Sequence, residues 1–315
     1  MYSTLYPETL LCDGMINPIG IDNLQPQLSW RLVSQVRGAL QSAYQIKVAS
    51  SIEKLEQGCA DVWDSGKVES NTSAHIKYEG KPLESDKEYF WRVQVWDDKG
   101  QISTNSLVAS WRTGLLNVLD WQGIWVSAVA VFDNAETGEQ PSPIFRKEIN
   151  LRAPVRSARA YICGAGLYEL HINGEKVGDH VVDPAFTRFD KRVQYVSHDI
   201  TANLQQGKNA LGIMLGCGQY DYKENDWWDF PCNPWKDRPK GILQINLEYE
   251  DGTTESFYTD RSWKMSAGPV VRDNIRSGEI SDANREQIGW DAVGFDDSDW
   301  KDTMAVCGTG GILKS

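Results

Sequence analysis

The alternation in "EYFWRVQVWDDKG", Glu88 to Gly100, constrains this chain more than any other feature. Tyr89, Trp91, Val93 and Val95 fall on one face of an extended segment, and Arg92, Gln94 and Trp96 on the other. A period of two marks a strand with one buried and one wet face, which requires a second layer to pack against. "LSWRLV" (Leu28 to Val33) and "AYQIKVAS" (Ala43 to Ser50) are further short runs rich in β-branched and aromatic residues, separated by Pro, Gly and polar turns. Only "SIEKLEQG", Ser51 to Gly58, reads as a helix in this part, with Ser at its start and Gly at its stop.

An early-strand Trp30 and a late-strand Tyr89 follow the pattern of a fibronectin type III sandwich, predicted over residues 8–115 and read as a scaffold. A boundary falls within "TGLLNVLDWQGIWVS", Thr113 to Ser127, and a second unit is predicted over residues 120–315. Its strands read at "SARAYICG", "LYELHING", "RVQYVSHD", "NALGIMLG", "GILQINLEYEDG" and "ESFYTDRSWK". Asn173-Gly174 and Asp251-Gly252 each predict a type I′ hairpin, because these residues tolerate positive φ. "DITANLQQGKN" reads as an Asp cap, one helical turn and a Gly stop. Short strands without βαβ spacing make the whole chain all-β, with a jelly-roll sandwich as its second unit.

Composition removes several functions. With 44 acidic against 32 basic residues the net charge is −12, and no basic run supplies a phosphate-binding face, so no nucleic-acid partner is expected. The six cysteines form neither a CxxC pair nor a zinc-type cluster, and read as free thiols of a reducing compartment. No signal-like N-terminus and no long apolar run occur, so the expectation is a cytoplasmic protein without a membrane partner.

Catalytic chemistry finds little support. "GEISDANRE" places Glu279, Asp282 and Glu286 close together, but among so many acids such groupings come easily and none is assigned a catalytic role. There is no GxSxG elbow, and "GAGLYE" lacks the helix a phosphate loop needs. His171 and His180 flank the Asn-Gly turn and are placed to approach each other across it. Sugar binding is better served, since sugars stack an apolar face on Trp or Tyr and hydrogen-bond to Asp, Asn and Arg. The segment from Gly218 to Pro239, "GQYDYKENDWWDFPCNPWKDRP", carries Tyr220, Trp227, Trp228 and Trp235 among acids and Arg238, in a loop too long for mere connection. The exit from the Asn-Gly hairpin adds Asp179, Asp183 and Arg188. These seven residues are the candidate carbohydrate-binding set.

The chain resembles bacterial α-L-rhamnosidases of glycoside hydrolase family 78, in their N-terminal region. The likeness rests on "INPIGIDNLQPQLSWRL", "DVWDSGKVES", "EYFWRVQVWD", "ARAYICGAGLYELHINGEKVGDHVVDPAFTRFDKRVQYVSHDIT", "NALGIMLGCGQY", "WKMSAGP" and "GWDAVGFDDSDWK", in that order over nearly the whole length. The second unit is also similar to galactose-binding-like jelly rolls in "INGEKVG" and "FDDSDW". The resemblance implies L-rhamnose-containing glycans as partners, and further C-terminal domains that include an inverting (α/α)6 barrel. No position here matches that barrel's acid and base, so no catalytic residue is carried over. Gln219 stands where many relatives have an aromatic. Related rhamnose-binding modules use calcium, for which Asp and Asn oxygens are suitable ligands. No EF-hand-like run occurs, no metal ligands are assigned, and no other cofactor is expected.

Three functions remain in competition: a non-catalytic recognition and architectural module of an α-L-rhamnosidase, a stand-alone carbohydrate-binding protein, and a structural interaction module that binds no sugar.

Overall fold

In the computed structural model, which describes residues 3–222 and 232–315, the Glu88–Asp97 segment is a strand whose alternate residues are buried. Trp91, Val93 and Val95 lose all solvent contact, and Tyr89 nearly all of it. The chain divides into two units, Met1–Asp120 and Trp121–Ser315.

The first unit contains β1 (Leu5–Cys12), β2 (Gln27–Ser34), β3 (Gln41–Ala49), β4 (Trp63–Asp64), β5 (Val68–Glu69), β6 (Ile76–Lys77), β7 (Glu88–Asp97) and β8 (Ala109–Arg112). They form two sheets, β1-β2-β6 and β4-β3-β7-β8, with β5 also on β3. Aromatic rings fill the space between. Trp30 meets Tyr44 edge-on at 5.2 Å, and Tyr89 stacks on Trp111 at 5.4 Å. Trp30 keeps its indole N–H satisfied by donating to Gln41 Oε1 at 3.1 Å, and the Gln41 amide donates onward to the Ser70 and Thr72 carbonyls. The short helix α1 spans Ile52–Glu56; Ser51 Oγ accepts from the Lys54 N–H, and Leu55 is buried.

The second unit is a larger sandwich. Its strands run β9 (Val126–Ser127), β10 (Pro143–Leu151), β11 (Val155–Ala165), β12 (Leu167–Ile172), β13 (Glu175–Lys176), β14 (Arg192–Gln194), β15 (Val196–Asp199) and β16 (Gly207–Gly216). After the aromatic segment follow β17 (Lys240–Tyr249), β18 (Thr254–Tyr258), β19 (Lys264–Ala267), β20 (Val270–Asn274), β21 (Gly278–Ser281), β22 (Lys301–Asp302), β23 (Met304–Ala305) and β24 (Ile312–Lys314). One sheet has the order β13-β12-β16-β10-β19-β22, the other β15-β11-β17-β9-β23 with β18 beside β17, all antiparallel. Phe145, Leu170, Leu211 and Ile213 of the first interlock with Ala160, Ile162, Leu243 and Ile245 of the second. Two pairs stand outside these sheets: the β20–β21 hairpin and a parallel pairing of β24 with β14.

The Asn173-Gly174 turn has both residues at positive φ, 55° and 88°, as a type I′ turn demands. Asn173 is fixed further: its amide donates to the Asn203 carbonyl and to Asn209 Oδ1, and its Oδ1 accepts from the Ala210 N–H, each at 2.9 Å. Asp251-Gly252 differs from expectation. Gly252 alone takes a positive φ, 79°, and donates to the Tyr249 carbonyl, while the Tyr249 N–H closes on the Thr253 carbonyl. The connection is thus a longer loop with one left-handed residue, and Asp251 instead accepts from Thr253. "DITANLQQGKN" gives a 3-10 turn over Thr201–Asn203, with Asp199 Oδ1 accepting from the Thr201 N–H at 3.1 Å.

A fully buried arginine organises the outer face of the β12-β16-β10 sheet. Arg146 donates to the carbonyls of Trp290 and Ala292 and to the carboxylates of Glu148 and Asp297, so the "GWDAVGFDDSDW" segment is pinned across the strands. Each fork position needs its partner, because a buried unpaired guanidinium is costly.

Candidate functional site

Two stretches meet at one edge of the second sandwich: the loop from β13 to β14 and the connection from β16 to β17. The first is anchored at Asp183. The Tyr168 N–H donates to the Asp183 carbonyl at 2.9 Å, and the Asp183 carboxylate accepts from His180 Nδ1 at 2.7 Å and from the Tyr168 hydroxyl at 3.4 Å. Tyr168 Oη lies 3.0 Å from His198 Nε2. Burial, then the neighbouring His180, lowers the His198 pKa, and burial raises that of the Tyr168 phenol, so both are held neutral.

Beyond Asp183 the loop carries two phenylalanines. Phe189 is buried, and Phe186 is 52% exposed. From the other stretch Tyr220 meets Phe189 edge-on at 5.0 Å, and the half-buried Trp235 lies 6.4 Å from Phe186 and 6.3 Å from Phe189. The result is an aromatic cluster with Phe189 and Tyr220 as its base and Phe186 at the surface. Charged pairs surround it. Arg188 Nε donates to Asp190 at 2.9 Å, and Lys240 Nζ donates to Asp237 at 2.7 Å while lying 5.7 Å over the Tyr220 ring. Arg238 bridges Asp133 and the buried Asp221, and burial lowers its pKa. The Trp235 indole N–H is buried without an acceptor among the described residues.

The expected residues therefore separate. Tyr220 and Trp235 are brought together through Phe189. Tyr220 is 2% exposed, so its ring supports the cluster and offers no face for stacking. Asp183 turns toward His180 and Tyr168, Arg188 is engaged by Asp190, and Asp179 is exposed. Trp227 and Trp228 lie outside the described residues. His171 and His180 do not pair across the hairpin: His171 Nδ1 takes Asp291 at 2.7 Å, and His180 packs beside His198 at 5.8 Å. Among the described residues no group of three or more His, Cys, Asp or Glu converges to hold a metal ion, so no calcium ligand set is assigned. Phe186 and Phe189 are not singled out by sequence reasoning, which weighs only the charges of "DPAFTRFDKR". Two aromatics three residues apart in a hairpin exit are the available signal.

The architecture defines a class: an immunoglobulin-like sandwich followed by a larger antiparallel one, with aromatic and charged loops gathered at an edge of the latter. Residues 7–117 match the family described as Rha78A-like, N-terminal immunoglobulin domain, and residues 153–314 match the α-L-rhamnosidase N-terminal domain. The chain belongs to the α-L-rhamnosidase family and corresponds to its non-catalytic N-terminal domains. An α-L-rhamnosidase of Formosa agariphila is 41% identical over 93% of this chain and 33% of its own length. One from an Alteromonas species is 31% identical over 96% of this chain and 33% of its own. The chain thus spans about a third of the length of these curated relatives. Among solved structures, the α-L-rhamnosidase from Dictyoglumus thermophilum superposes with a TM-score of 0.90 at 40% identity, covering 100% of this chain and 36% of that one. The Streptomyces avermitilis α-L-rhamnosidase complexed with L-rhamnose shares the fold, with a TM-score of 0.90 at 24% identity over 98% of this chain and 45% of its own.

Proposed function

We propose that this chain is the recognition and architectural part of an α-L-rhamnosidase, and that its second sandwich binds L-rhamnosides on the Phe186–Trp235 surface. The observation that carries this reading is an exposed phenylalanine beside a half-buried tryptophan, stiffened from below by Phe189 and rimmed by charged side chains. Such a surface matches a sugar's mixed chemistry, apolar C–H face and hydroxyl edge. Hydrolysis is assigned to the portion of the relatives that this chain does not span. The carboxylates around the cluster are already committed, Asp183 to His180, Asp190 to Arg188, Asp221 to Arg238 and Asp237 to Lys240. Such engagement does not suit the acid and base of glycoside hydrolysis.

The test is a titration of intrinsic tryptophan fluorescence with L-rhamnose, with and without calcium, and with galactose as control. A saturable, rhamnose-selective change is expected, abolished by Trp235→Ala and weakened by Phe186→Ala. A flat response at millimolar sugar in both buffers would reduce the chain to a scaffold. A protein-interaction role has its own observation: Val181 and Val182, 75% and 57% exposed, extend the Phe186 loop as an apolar strip. Self-association that rises with concentration and disappears on Val181→Asp would favour it.

A further inference from the structure

The outer face of the β12-β16 sheet is hollowed beside the β20–β21 hairpin into a cleft of about 250 Å³. Its apolar lining includes Leu167, Met214 and Val182, and its polar lining Asp273, Glu279 and Glu169, the last already paired with Lys176. The volume is just below the roughly 300–1,000 Å³ of sites for drug-sized ligands, and so suits a single sugar ring. Asp273 and Glu279 are direct cross-strand partners in the hairpin register. Like charges in that position repel, and a hairpin built for stability alone would alternate them with cations. Neither carboxylate has an ion-pair partner among the described residues; Asp273 accepts the Cys217 N–H, and Glu279 is exposed. Close approach on the floor is built in as well, since a Cβ on Gly216 would lie 2.9 Å from Asp273 Oδ2. Asp273 is thus seated against the end of β16 with its second oxygen left for another donor.

We infer that this cleft, with the opposed carboxylates of Asp273 and Glu279 on one wall and Leu167, Met214 and Val182 on the other, binds a single neutral 6-deoxyhexose ring. The inference rests on the rhamnoside-binding reading above and adds to the aromatic surface a separate place for one sugar ring. Hydroxyl groups donate to the two carboxylates, in charge-assisted hydrogen bonds that relieve their mutual repulsion. The deoxy methyl group lies against the apolar side chains of Leu167 and Met214. An acidic sugar is rejected by charge. Val182 and Phe186 belong to one loop, and Gly216 ends the strand from which the Tyr220 connection departs, so the cleft and the aromatic surface are linked through neighbouring chain segments.

Calorimetric titration of the full chain with methyl α-L-rhamnoside, and with its 6-hydroxylated counterpart methyl α-L-mannoside, tests this. Asp273→Asn, Glu279→Gln and Trp235→Ala are compared, with thermal melts confirming that each folds. The expected result is an affinity loss of about tenfold or more for each carboxylate variant, and a similar preference for the deoxy sugar. Rhamnoside binding that survives Glu279→Gln and Asp273→Asn but is lost in Trp235→Ala would overturn the cleft and leave the aromatic reading standing. No binding of either sugar by the unsubstituted chain would overturn both.

Discussion

His171 shows how one side chain here couples charge to packing. It sits on β12 with its Nδ1 2.7 Å from Asp291, its Nε2 3.6 Å from Glu169, and its ring 5.4 Å from Trp290. Burial works against its charge, but the nearby Glu169 carboxylate and the bond to Asp291 outweigh it and raise the pKa above the ordinary 6.5. The reciprocal effect appears on Glu169, whose pKa the nearby His171 and the bond from Lys176 lower to about 2. The sign of the stability effect follows from the direction of each shift. The raised histidine contributes in full below the unfolded value near 6.5, and its contribution is lost as pH rises through the higher folded value. The depressed Glu169 contributes above the unfolded value near 4.5, and loses that contribution as pH falls toward 2. Thermal melts should therefore show a decline in Tm as pH rises above about 6.5 that His171→Gln flattens. An unchanged slope in the variant would assign the decline to other groups.

At the level of elements, the Asn-Gly hairpin is the clearest case of local sequence dictating local shape. Gly174→Ala forces a Cβ into the left-handed region, at a cost of about 1–2 kcal/mol. Among the described residues only Ala292 approaches that Cβ, at 3.9 Å, so backbone strain rather than collision sets the loss. Urea unfolding should show a lower midpoint with an unchanged slope, and a loss much above that range would reveal a damaged β12–β13 register. The same turn marks how far the sequence carries. The alternation in β7 and the Asn-Gly turn are legible because neighbours in the chain settle them. Asp251-Gly252 misleads, because the dipeptide permits a two-residue turn while the β17–β18 register, with Glu248 opposite Thr254, selects the longer loop. The aromatic cluster and the Arg146 hub are illegible for a different reason. Phe189 meets residues 31 and 46 positions further on, and Arg146 binds a segment about 150 positions away, so no local window contains both halves. Asp183 and Arg188 show the converse. Their charges are visible in the sequence, but not the neighbours His180 and Asp190 that engage them.

At the level of the whole molecule, each unit owns a complete apolar core. Leu28, Trp30, Ile46, Trp91 and Trp111 belong to the first, and Phe145, Ile162, Ile213, Leu243 and Trp263 to the second. The segment 121–315 expressed alone should accordingly melt cooperatively and keep the whole sugar response of the full chain. Retention of folding with loss of binding would mean that the immunoglobulin-like unit contributes to the site.

The parallel pairing of β24 with β14 has a mechanical consequence. Arg192 lies opposite Ile312 and Gln194 opposite Lys314, with the Ile312 N–H donating to the Lys191 carbonyl and the Tyr195 N–H to the Lys314 carbonyl. Because the strands run the same way, tension drawn along the backbone past Lys314 against the loop that bears Phe186 and Phe189 is met in shear. All the rungs of the ladder share that load at once, instead of opening one by one like a zip. The strand is placed as a strain-bearing lap joint against the loop behind it.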